Sequence, residues 1–209
     1  MNLIDDLNWR YACKWMNGKK VSDDEIGLIL EAIRLAPTSI GMQLFKVFII
    51  KDEVKIRDIY EKAAPRQHMI PGCSHLLVFA AYTQFQETDV GNYVERFGTA
   101  RDVKGEELEG YRKKYINYIS TLDKDDLPDW MARQTYIAMA YATIAAANLR
   151  IDCTPVEGFD TGKMDEILSL KEQNLRSTLL LPIGYRDIEN DRSIGLLKVR
   201  KDAQDLFIY

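Results

Sequence analysis

Two cations near the start of the chain are the first residues whose spacing could do chemistry. In Arg10-Tyr11-Ala12-Cys13-Lys14 the charges stand four positions apart, which on a helix puts them on one face. Such a pair serves as a solvated basic face or as an anion site, for a phosphate or for a ring edge that gains negative charge on reduction. Thr38-Ser39-Ile40-Gly41-Met42-Gln43 follows a helix stopped by Pro37. It offers two hydroxyls, an amide and a glycine, which can hydrogen-bond a ligand and let backbone approach it. Pro155-Val156-Glu157-Gly158-Phe159 follows the most apolar stretch of the chain, with amides that can point into a cleft. Lys198-Val199-Arg200 alternates its cations, so in an extended segment both face the same way, and arginine suits phosphate recognition. Taken singly, each segment reads more readily as a solvated face, a connection, a turn or a solvated tail than as a site.

Other chemistries have little to stand on. The glycines form neither G-x-G-x-x-G nor a P-loop, and there is no G-x-S-x-G elbow. His75 opens a strand and is expected to be structural; His68 is expected in a loop, solvated or capping. Cys13, Cys73 and Cys153 are far apart and include no C-x-x-C pair, which argues against a disulfide framework and against a metal site. A net charge of −4 lacks the basic footprint of a nucleic-acid binder. No basic segment followed by an apolar core opens the chain, so no secretory signal is read. The apolar stretch 136–149 is too short and too interrupted to cross a bilayer. The expectation is a cytoplasmic protein with neither a membrane nor a nucleic-acid partner.

The elements that must position these residues follow from periodicity. The 209 residues, 46% hydrophobic, suit one α/β domain over the whole of 1–209. Residues 3–16 read as a first helix. Ser22 to Glu25 is a capping-box pattern before Ile26, Ile29, Leu30 and Ile33 at helical spacing. Strands are expected at 44–50, 75–82 and 177–183, where β-branched, aromatic or continuous apolar residues run together. Helices are expected at 52–63, 129–149 and 160–170. A polar helical region at 89–122 is interrupted by Gly91, Gly98, Gly105 and Gly110. Its tyrosines Tyr111, Tyr115 and Tyr118 either line a pocket or cover a hydrophobic surface. The tail from Tyr185 has little periodicity. Strands alternating with helices favour an α+β or α/β sandwich.

Taken together, the segments resemble the nitroreductase family of flavoproteins. The likeness is in order and spacing: R-Y-A-C-K, then A-P-T-S-I-G-M-Q-L-F, S-H-L-L-V-F, W-M-A-R-Q-T-Y heading a long helix, P-V-E-G-F, and L-P-I-G-Y before the K-V-R tail. It covers nearly the whole chain and is nearest to the oxygen-insensitive nitroreductase and dihydropteridine reductase group. The resemblance implies a central, mostly antiparallel sheet flanked by helices in an intertwined homodimer. The tail, about 186–209, would embrace the partner, and FMN would lie in the interface. By position, Arg10, Lys198 and Arg200 would hold the FMN phosphate, with Tyr11 and Ala12 beside them. Lys14 would approach the flavin pyrimidine edge. Thr38, Ser39 and Gly41 would come from the partner chain. Gln134, and Gln67 or its neighbour Arg66, would add polar contacts. In Pro155 to Gly158, the amides of Glu157 and Gly158 would approach flavin N5 and O4. Tyr115 and Phe45 would meet the substrate. The family commonly has a small hydroxyl residue where Ala12 stands, asparagine at Gly41 and proline at Leu44.

The implied activity is ping-pong hydride transfer through flavin N5, from NADH or NADPH to a nitroaromatic, quinone or similar small acceptor. It needs no catalytic side chain and no separate dinucleotide fingerprint. Dihydropteridine, enone or free flavin reduction are alternatives on the same fold. A flavin-binding dimer without NAD(P)H turnover is an alternative of another class, and so is a purely structural protein.

Overall fold

The run His75–Tyr82 (β2) is apolar at successive positions because both of its faces are covered. In the computed structural model, which describes residues 2–209, it is a central strand of a four-stranded sheet. The others are β1 (Phe45–Ile50), β3 (Asp152–Cys153) and β4 (Leu175–Gly184). The order is β1-β2-β4-β3, and every pairing is antiparallel. Side chains alternate across the sheet. Leu76, Val78 and Ala80 face one layer with Leu180, while Leu77 and Phe79 face the other with Leu179, Leu181 and Ile183.

The second face is covered by α2 (Asp23–Arg34) and α6 (Leu127–Asn148). In α6, Ala138, Ala142 and Ala146 recur every four residues and bring the helix close to the sheet. The first face is covered by α3 (Glu53–Ala63) and α7 (Thr161–Ile167), with Met69, Ile70 and Cys73 of the connecting loop. The α+β sandwich with an antiparallel sheet, expected from sequence, is the fold that forms. α4 (Glu87–Arg101) and α5 (Gly105–Ser120) form a hairpin over one end, burying Val90, Val94 and Ile119 with Met42 and Leu44.

Three local expectations need correction. The first helix, α1 (Leu3–Trp9), ends seven residues short of the expected 3–16. Arg10 is extended at φ −68°, ψ 133°, so Arg10 and Lys14 do not share a helical face. Distant partners outweigh local helix propensity here. Thr154 Oγ1 donates to the Cys13 carbonyl at 2.8 Å, Met16 bridges to Arg186, and Asn17 N–H donates to the Tyr185 carbonyl at 3.0 Å. Next, Gly91 and Gly98 lie inside α4 and Gly110 inside α5; the break falls at Asp102–Lys104, with Asp102 left-handed at φ 51°. Gly98 is a point of close approach, since a Cβ there would come within 2.8 Å of the Val103 carbonyl oxygen. Finally, the tail carries a four-residue helix, α8 (Ala203–Leu206), that periodicity did not show.

Candidate functional site

The tail brings the two cationic segments together. Residues 193–200 fold back beside the extended stretch after α1, and the two together line an open cavity of about 700 Å³. Arg10, Lys14, Arg186, Lys198 and Arg200 all line it, and among the described residues no Asp or Glu does. Trp9, Tyr11, Ala12 and Ser193 complete much of the wall. The Lys198 ammonium donates to the Arg10 carbonyl. Loss of water around Lys198, then the charges of Arg10 and Arg200, push its pKa below the ordinary lysine value of 10.5. Among the described residues, Arg10, Lys14, Lys198 and Arg200 make no salt bridge, whereas Arg186 is paired with Asp152. Four like charges without counter-carboxylates could attract an anion, and guanidinium groups are matched in shape to phosphate oxygens.

The wall is built by three residues that sequence reasoning did not single out. Asp152 on β3 accepts from the Arg186 backbone N–H, Nε and Nη2 at 2.6–3.0 Å. The Arg186 guanidinium lies over the Trp9 and Tyr11 rings, 4.5 and 4.6 Å from their centroids. Asp191, 4% exposed, accepts from the Tyr11 hydroxyl at 2.9 Å and from the Lys14 N–H at 2.8 Å. No local signal marks these roles, because the partners lie some 35 to 180 positions away.

The P-V-E-G-F segment reaches the same N-terminal stretch through the bond from Thr154 to Cys13. Gln67 Nε2 donates to the Gly158 carbonyl at 2.8 Å, joining the 65–70 loop to it. Val156 is 3% exposed and its N–H and carbonyl both pair with Leu180, so it supports the segment from below and offers a ligand nothing. Pro155, Glu157 and Gly158 are exposed. The Glu157 and Gly158 N–H groups find no acceptor among the described residues. The Glu157 carboxylate takes the Tyr136 hydroxyl from α6, a bond that, with loss of solvent, pushes the Tyr136 phenol to about 12.

The remaining candidates gather elsewhere. Ser39 N–H donates to Gln134 Oε1 at 2.6 Å, so the buried Gln134 amide holds the 38–43 loop. That loop is strained at Ile40 and Gln43, at φ 49° and 54°, whereas Gly41 takes φ 74° without penalty. Its Thr38 hydroxyl is buried without a partner. Tyr115 packs edge-on against Tyr93, which itself lies beside Gly41. Phe45 is half-buried at the start of β1. None of these residues lines the cationic cavity. His68 stacks on Trp15 at 5.0 Å and meets the Tyr60 hydroxyl, while His75 is buried beside Ser74. Among the described residues no cluster of three potential metal ligands occurs, and no helix is long and apolar enough to cross a membrane.

Comparison with known proteins bears on the family and the fold. The nitroreductase family pattern matches residues 7–185. A Staphylococcus haemolyticus protein, provisionally named an NAD(P)H nitroreductase, is 32% identical over 222 residues, covering 98% of this chain and 95% of the relative. The major NAD(P)H-flavin oxidoreductase of Aliivibrio fischeri is 27% identical over 210 residues, covering 98% and 96%. A solved structure from Exiguobacterium sibiricum, provisionally described as a nitroreductase in complex with FMN, superposes with a TM-score of 0.83 at 16% identity, covering 100% and 97%. The chain belongs to the nitroreductase family.

Proposed function

We propose that the protein is an FMN-dependent NAD(P)H oxidoreductase that passes two electrons to a small acceptor such as a nitroaromatic or a quinone. The observation that carries this reading is the acid-free cavity on which Arg10, Lys14, Lys198 and Arg200 converge. The donor set fits the cofactor. Unpaired guanidinium and ammonium groups suit its phosphate, and the free Glu157 and Gly158 N–H groups, reached from the N-terminal stretch through Thr154, suit the polar edge of its ring.

When bound, FMN supplies the hydride-accepting and hydride-donating centre. The protein's own residues bind and orient. Arg10, Lys198 and Arg200 hold the phosphate. Lys14, with no carboxylate partner, favours negative charge on whatever lies against it. Gln67 braces Gly158 through its carbonyl, fixing the direction of the adjacent amides. No side chain is required as nucleophile or metal ligand.

A homodimer is part of the proposal. Leu197, Val199, Ile208 and Tyr209 are 85% exposed or more, apolar side chains that a single chain leaves in water. The tail embraces a second copy, and the loop of Thr38, Ser39 and Gly41, held by Gln134, is offered to the partner's cofactor. Tyr115 and Phe45 stand on the acceptor side.

The test is an absorption spectrum of the purified protein, followed by anaerobic addition of NADPH and then NADH. The expected result is a yellow protein that releases FMN on denaturation, is bleached by one or both nucleotides, and regains colour with a quinone. Colourless protein that gains nothing from added FMN overturns the proposal. Bound FMN that neither nucleotide bleaches leaves a flavin-binding dimer.

A further inference from the structure

We propose that Asp191 is the positioning residue that assembles the phosphate end of the cavity; this rests on the FMN reading above. Asp191 lies beyond β4, in the turn that starts the tail, and its N–H donates to the Asp187 carbonyl at 2.9 Å. Only 4% of it is exposed. One carboxylate oxygen receives both the Tyr11 hydroxyl and the Lys14 N–H, at 2.9 and 2.8 Å. The other receives the Ser193 N–H at 2.9 Å. One side chain therefore fixes the stretch carrying Arg10 and Lys14 and, at the same time, the start of the segment carrying Lys198 and Arg200.

A buried carboxylate is costly unless it is paired or well supplied with donors. Asp191 forms no salt bridge among the described residues. Against the opposing effect of burial, the Lys14 and Ser193 N–H groups, the Tyr11 phenol and the neighbouring Cys13 thiol hold its pKa below the ordinary value of 3.8. Nearby Asp152 does the reverse job, since it neutralises Arg186. Asp191 thus orders two cationic segments without neutralising either. A salt bridge to Lys14 Nζ would have fixed the same geometry and cancelled the charge that the cavity presents.

The arrangement also states what an amide cannot do. Asparagine has one acceptor oxygen, and its NH2 would face either the Ser193 N–H or the Lys14 N–H, donor against donor. One of the two segments must then let go.

The experiment is titration of the apoprotein with FMN and with riboflavin, which lacks the phosphate, for the wild type, Asp191→Asn and Tyr11→Phe. Asp191→Asn is expected to weaken FMN by about tenfold or more, the scale of a lost charge-assisted contact, while riboflavin, which keeps only the ring-edge contact of Lys14, loses clearly less. Tyr11→Phe removes only the phenol donor and gives a smaller loss in the same direction, which keeps the test open if the asparagine variant does not fold. Unchanged FMN affinity in both variants overturns the proposal. So does an equal loss for FMN and riboflavin, which marks general damage. A wild type that binds riboflavin as tightly as FMN overturns the FMN reading itself, and with it this role.

Discussion

Arg186 grips Asp152 from both its side chain and its backbone. Nη2 and the backbone N–H donate to different carboxylate oxygens at 2.6 and 2.9 Å, and Nε lies 3.0 Å from each. Asp152 belongs to the two-residue strand β3, and Arg186 follows β4, so the pair fastens the sheet edge beneath the cationic cavity. The two side chains are 4% and 22% exposed. Removing one partner of a buried pair leaves the other charge uncompensated, at a cost of about 3–5 kcal/mol. Asp152→Ala is therefore expected to lower the thermal midpoint by on the order of 10 °C. A change of a degree or two in a thermal melt would show that water compensates Arg186.

The phosphate role of the tail makes a separate prediction. Arg200 lines the cavity with no salt-bridge partner among the described residues. A charge-assisted contact to phosphate is worth about 1.5–3 kcal/mol, so Arg200→Ala should weaken FMN by roughly tenfold to a hundredfold. Affinity should also fall with added salt, and the variant's dependence on salt should be shallower. Fluorescence titration of the apoprotein reads both quantities; an affinity equal to the wild type removes the tail from the site.

Much of this was legible in the residues, and what was missed has a common cause. The strands at 45–50, 75–82 and 175–184 stand out because apolar or β-branched runs report sheet burial locally. The capping box from Ser22 to Glu25 formed as written, since its partners are three positions apart. Arg10, Lys14, Lys198 and Arg200 were recognisable as candidate anion ligands from residue type, although Arg10 and Lys14 do not share the helical face that their spacing suggested. Their convergence on one cavity was not. It depends on the tail folding back, which is organised by Asp191 reaching Tyr11 across 180 positions. The extended course of residues 10–17 was hidden in the same way. No glycine or proline breaks the pattern before Gly18, and the partners that hold the segment open come from β3, β4 and the tail.

Acid should weaken the fold through His75 before the carboxylates titrate. His75 is 6% exposed, and burial pushes its imidazole pKa below the ordinary value of 6.5. The folded state thus resists a proton that the unfolded chain accepts. Below pH 6.5 the unfolded state binds more protons, so stability falls as pH drops from that value toward the folded pKa and then levels off. The slope from this group is at most about 1.4 kcal/mol per pH unit. Denaturant unfolding from pH 7 to about pH 5 should show this decline, and His75→Gln should flatten it. An identical slope in the variant assigns the effect elsewhere.

Gly72 tests whether the cofactor segment depends on its support as well as on its charges. The Gly72 carbonyl accepts the Gly18 N–H at 3.0 Å, and the residue sits directly against Met16. A Cβ at position 72 would fall 2.0 Å from the Met16 carbonyl oxygen and 2.7 Å from its carbon. Both are backbone atoms, so no rotamer change relieves the clash, and the 10–18 stretch must move. Overpacking of this kind costs about 1–3 kcal/mol and sometimes more. Because Met16 is also bridged to Arg186, and Lys14 is only two residues away, the displacement should reach the cavity. Gly72→Ala is therefore expected to lower the thermal midpoint by several degrees and to weaken FMN as well, although position 72 lines no part of the site. Loss of stability with undiminished FMN affinity would mean that the stretch gives way at Met16 without disturbing Lys14, and that the charges alone set the affinity.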